Sequence, residues 1–141
     1  MTIQTPKALL PVKAPVVEAI QAAIPGVLAV YAFGSRMTGD AHPGSDLDLA
    51  VLVPGYADPL RLFELAGELA DVVGCDVDLV DLRAASTVMQ YQIIMKGVSW
   101  WHADTQAGLY EAFILSEKTA LDTARAGLME DIAARGHVYG R

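Results

Sequence analysis

Cysteine is nearly missing from this chain of 141 residues, with Cys75 alone. No disulfide can close within it, so the fold must rest on a packed core, and a reducing compartment is the natural setting. Cations are scarce as well, ten Lys and Arg against seventeen Asp and Glu. A protein that grips nucleic acid by its phosphates needs a basic face, and this composition does not supply one. No apolar run approaches the ~18 residues of a membrane span. The first residues, interrupted by Pro6, Pro11 and Pro15, show no charged-then-apolar leader. His102 and His137 lack the partner spacing of a zinc site. Repeats, low-complexity tracts and linkers are absent too. The expectation is one domain over 1–141, cytoplasmic, without membrane or direct nucleic-acid contact.

What is present is apolar, at 53% hydrophobic residues, and periodic. Val16, Val17, Ile20 and Ile24 repeat at helical spacing behind Pro15, which suits a helix's first position. Pro25-Gly26 ends that helix. Val27 to Phe33 reads as a buried strand stopping at Gly34, and Asp46 to Val53 as a second, closed by Pro54-Gly55. Asp58-Pro59 is an N-cap followed by Pro, opening a helix with Leu60, Phe63, Leu65, Leu69 and Val72 inward and Gly74 as its stop.

A third strand, Cys75 to Leu82, alternates acidic and apolar residues. Ser86 can cap a helix running through Met89, Ile93 and Ile94 to Gly97, and Val98 to Trp101 forms a short last strand. Of Trp100 and Trp101, one ring should be buried and the other at the surface. From about Thr105 to Ala134 the pattern is helical, with Leu109, Phe113, Ala120, Leu121, Ala124, Leu128 and Ile132 near one stripe. Gly108 and Gly127 leave open whether this is one helix or a pair. Helices alternating with short strands define an α/β domain, its core at about 16–103 and a helical segment at about 105–135.

The chemistry is concentrated between Gly34 and Asp48. Gly34-Ser35 is followed, ten residues later, by Asp46-Leu47-Asp48. Side chains two apart on a strand share a face, so the two carboxylates project together. They repel unless a cation lies between them, and hard oxygen ligands suit Mg²⁺, which usually arrives with a phosphate. The Gly-Ser turn can offer that phosphate backbone N–H groups and a hydroxyl. Four such fixed positions arise by chance in a chain of this length on the order of 0.3% of the time, taking about one in fifteen per residue type. Arg36 reads equally as a phosphate contact or a surface arginine, and Asp40 and His42 read as a solvated loop over the site.

These residues resemble the signature of the nucleotidyltransferase superfamily typified by DNA polymerase β: Gly-Ser, a spacer, then Asp-x-Asp. Gly39 and Ser45 in the spacer, Val77 to Arg83, Gln92 to Gly97 and Glu130 to Gly140 narrow the likeness to minimal nucleotidyltransferase (MNT) proteins. The resemblance implies a small mixed β-sheet flanked by helices, with a C-terminal helix or helix pair. It implies an antitoxin that transfers AMP from ATP to a tyrosine of a HEPN-domain RNase toxin, with which it forms a hetero-oligomer. By that likeness Asp46, Asp48 and Asp78 hold Mg²⁺ (two ions), Asp78 helps deprotonate the attacking hydroxyl, and Gly34 and Ser35 bind the triphosphate. The strand's alternation alone leaves Asp76 as a rival to Asp78. Two other functions stay open: nucleotidyl transfer to a small hydroxylated molecule such as an aminoglycoside, and an antitoxin that acts by binding alone.

Overall fold

A computed structural model of the chain describes residues 5–38 and 46–135, with side chains described for 5–37 and 46–128. Gly39, Asp40, His42 and Ser45 of the spacer, and His137 near the end, lie outside the described residues. Four strands form one mixed sheet in the order β3-β2-β1-β4: β1 (Ala29–Phe33), β2 (Leu47–Leu52), β3 (Val77–Asp81) and β4 (Val98–His102). β1 pairs antiparallel with β2 and with β4, whereas β2 and β3 run parallel. Strands β1 and β2 are buried on both faces, which is why they read as continuous apolar runs rather than alternating ones.

Helices cover both faces. On one side α1 (Leu10–Ala23) and α3 (Pro59–Val73) pack Val16, Ile20, Leu62, Leu65 and Leu69 against Val30, Leu49 and Val51. On the other, α4 (Thr87–Lys96) and the first turns of α5 (Thr105–Arg135) place Ile93 and Ala107 against Tyr31, Ala50 and Leu52. Each large aliphatic side chain so buried contributes about 1.5–3 kcal/mol of transfer free energy. Trp100 is buried, its indole N–H donating to Thr5 Oγ1 (2.8 Å), and Trp101 is partly exposed.

The local signals for caps and stops hold. Asp58 accepts from the Leu60 N–H and Ser86 Oγ from the Met89 N–H, opening α3 and α4. Gly74, at φ +82°, ends α3 in the left-handed conformation that glycine adopts without penalty. Three expectations need correction. Helix α1 begins at Leu10, with Pro11 near its N-terminus and Pro15 inside it, because burial of Val16, Val17 and Ile20 offsets the bond that Pro15 removes. In α3 the buried stripe is Leu62, Leu65 and Leu69, while Leu60, Phe63 and Val72 face solvent. Helix α5 is a single helix that buries Ala107 and Ile114 and leaves Leu109 and Phe113 exposed. Both α3 and α5 carry apolar residues on more than one face, and the sheet selects one of them.

Candidate active site

The sheet order gathers three chain-distant segments around the start of β2. Asp48 sits opposite Phe33, the last residue of β1, on one side and opposite Asp78 of β3 on the other. Gly34 follows Phe33 directly at φ +82°, and opens the single turn α2 (Ser35–Thr38). A Cβ at Gly34 would run into the Asp48 carboxylate, with Cγ at 3.1 Å and Cβ at 3.3 Å. Glycine is therefore required twice here, for the backbone angle and for the close approach of the carboxylate.

Asp48 is half-buried, and Asp46 and Asp78 are exposed. Burial raises the Asp48 pKa above the ordinary carboxylate value, and the negative charges of Asp78 and then Asp46 raise it further. The coupling marks the two neighbours whose charge Asp48 feels. Asp76 is not among them: the parallel register sets Asp78, not Asp76, across from Asp48. The remaining acid of the strand, Asp81, is committed elsewhere. It is buried and accepts from the Ala57 N–H (2.8 Å) and the Arg83 N–H (3.0 Å), tying the loop after β2 to the end of β3.

Among the described residues no three carboxylate, imidazole or thiol groups are placed so as to cage a metal ion by themselves. Mg²⁺ does not ask for that, since one or two carboxylates commonly hold it while waters and substrate phosphates complete the shell. The donor set fits: hard oxygens whose mutual repulsion a divalent cation would relieve. Two neighbours of the site escape a reading of motifs. Phe33 lies across from Asp48. Gly97, at the end of α4, lies so close to β1 that a Cβ there would stand 2.9 Å from the Ala32 carbonyl and 3.2 Å from the Phe33 Cβ. Gly97 was legible as a helix stop, but its packing against β1 is a non-local fact.

With this geometry in hand the relatives fall into place. The family described as polymerase beta, nucleotidyltransferase, matches residues 17–106. The protein adenylyltransferase MntA of Shewanella oneidensis is 37% identical over 111 residues, covering 79% of this chain and 80% of that protein. A crystal structure of a toxin–antitoxin with AMP-PNP matches at a TM-score of 0.75 and 33% identity, covering 86% of this chain and 98% of the other. A structure of the tri-AMPylated Shewanella oneidensis HEPN toxin in complex with MNT antitoxin matches at 0.71 and 31% identity, covering 87% and 97%. This chain belongs to the polymerase β-type nucleotidyltransferase family.

Proposed function

We propose that this chain transfers AMP from ATP to a tyrosine hydroxyl of a HEPN-domain toxin and neutralises the toxin by doing so. One observation carries the reading: Asp48 stands between Gly34 and Asp78 in a chain 37% identical to a protein adenylyltransferase. Gly34 and Ser35 would receive the triphosphate. Asp46 and Asp48, with Asp78 beside them, would hold Mg²⁺. Held there, Mg²⁺ would supply neutralisation of the phosphate charge. Asp78, exposed at the edge of the sheet, accepts the proton of the incoming hydroxyl as its oxygen bonds to the α-phosphorus and pyrophosphate leaves. The protein's share of catalysis is positioning and charge compensation.

The test is to incubate the chain with labelled ATP, Mg²⁺ and a HEPN-domain toxin, and to weigh the intact toxin. Whole AMP units on the toxin, lost on Asp46→Asn with Asp48→Asn, are expected. A double variant that still silences an unmodified toxin would mean that binding alone suffices. Labelling of an aminoglycoside and of no protein would make the acceptor a small molecule. Omitting Mg²⁺ from the same assay tests the metal requirement.

A further inference from the structure

Among the described residues β3 has no strand neighbour on its outer side. An open groove of about 1300 Å³ follows that edge. One wall is α3 from Pro59 to Ala70, and the other is the segment from Ala84 to Met89. Eleven helical rises along α3 span about 16 Å, and five strand rises from Asp76 to Asp81 also span about 16 Å. The groove is thus as long as an extended peptide of five or so residues. Asp48 and Asp78 are part of its lining.

The lining is apolar and anionic. Phe63 is 78% exposed and Tyr56 75%, two aromatic side chains that packing among the described residues does not explain. Among the described residues the charged groups lining it are Asp48, Asp76, Asp78 and Asp81, with no Lys, Arg or His. Away from a bound cation, such a surface repels a triphosphate. The Gly34–Ser35 turn lies across Asp48 on the β1 side, whereas the groove leaves on the β3 side. The groove thus reaches Phe33 beside Gly34 and leaves along β3, so that nucleotide and acceptor can meet at the same carboxylates.

We propose that the acceptor protein lays an extended, cationic segment of about five residues along the outer edge of β3, pairing with its backbone and resting on Phe63 and Tyr56, so that its hydroxyl reaches Asp48 and Asp78. This rests on the reading that the chain adenylylates a protein. An unpaired strand edge supplies the backbone partners, and exposed Asp76, the groove carboxylate given neither to the metal nor to backbone N–H groups, supplies the charge preference.

Gly67 provides the test, because it lines the groove and a Cβ there meets nothing within 4 Å. Substitution places a side chain in open space, on a helix that any residue but proline favours over glycine. Steady-state transfer to the toxin should show Gly67→Arg raising the acceptor KM about tenfold or more with kcat and the ATP KM unchanged, the mark of lost uniform binding. Phe63→Ser should act in the same direction. Leu60→Ser, at an exposed residue of the same helix outside the groove, should not.

Gly67→Glu should raise the acceptor KM far less than Gly67→Arg. Equal effects of the two charges would overturn the cationic occupant, and an unchanged acceptor KM would place docking elsewhere. A raised ATP KM would make the groove a nucleotide site. A dimer in gel filtration that Gly67→Arg dissociates would make the occupant a second copy of this chain. Wild-type protein that labels no protein acceptor removes the functional reading and the groove's role with it, whereas an active wild type with indifferent variants removes only the groove.

Discussion

Gly34 and Gly74 form a matched pair, since both sit at φ +82°. An alanine at either position carries the cost of a left-handed conformation, about 1–2 kcal/mol. They differ in what the new methyl meets. Nothing lies within 4 Å of a Cβ at Gly74, whereas a Cβ at Gly34 collides with the Asp48 carboxylate and crowds its Cγ and Cβ at 3.1 and 3.3 Å. The Asp48 Cβ is rooted in β2 and cannot yield as a side-chain tip does. Either the carboxylate rotates away or β1 and β2 separate at their ends.

Gly74→Ala should then lower the thermal midpoint by about 3–7 °C, the equivalent of its backbone cost in a domain of this size, and leave AMP transfer unchanged. Gly34→Ala should lower it at least as far and also reduce the transfer rate about 100-fold, the scale of a 1 Å misplacement of a reacting group. Circular dichroism melts and initial rates at saturating ATP measure both quantities on the same preparations. If Gly34→Ala lost only the stability that Gly74→Ala loses and kept its rate, the contact between Gly34 and Asp48 would have no catalytic meaning.

In metal-free buffer at neutral pH, Asp48→Asn should melt at a higher temperature than wild type while transfer with Mg²⁺ falls about 100-fold or more. Burial and the charges of Asp78 and Asp46 raise the Asp48 pKa, so its favourable contribution is complete below the ordinary carboxylate value and is lost as pH rises through the folded one; a lower melting temperature for the amide would contradict this. Gln90 is buried and donates to the carbonyls of Leu82 (2.8 Å) and Arg83 (3.2 Å) and to the Tyr110 hydroxyl (3.0 Å). Gln90→Leu should cost about 1–3 kcal/mol in urea denaturation, and a neutral result would show the network to be dispensable. Ile114→Ala should cost about 2–5 kcal/mol, and Leu109→Ser, at a site 69% exposed, should stay within about 0.5 kcal/mol of wild type. A reversal of that order would mean that α5 packs through its other face.

What was legible in the sequence is what local chemistry determines. The Asp58 and Ser86 caps, the Gly74 stop and the strand ending at Gly34 each depend on a few adjacent residues, and each is found as read. The faces of α3 and α5 were not legible. Leu60 and Phe63 keep the same i, i+3 spacing as Leu62 and Leu65, so periodicity identifies a helix without fixing its rotation against the sheet. The choice between Asp76 and Asp78 opposite Asp48 is of the same kind. A period of two places both on one face, and only the pairing of β3 with β2 sets which one meets Asp48.

That pairing also explains why the sheet is mixed. The antiparallel pairing of β1 and β2 brings the end of β1, with Gly34, to the beginning of β2, with Asp48. A third strand entering antiparallel would set its last residues beside Asp48 and carry Asp78 toward the far end. The parallel arrangement sets the beginning of β3 there instead, and parallel neighbours require a crossover of a dozen or more residues. Helix α3, at 15 residues, is that crossover. In returning the chain to the start of β3 it also lies along the strand that it introduces, with Phe63 and Gly67 beside the free edge. The topology that completes the carboxylate site therefore builds the groove leading to it, and a variant on the exposed side of α3 can separate acceptor docking from chemistry without touching a carboxylate.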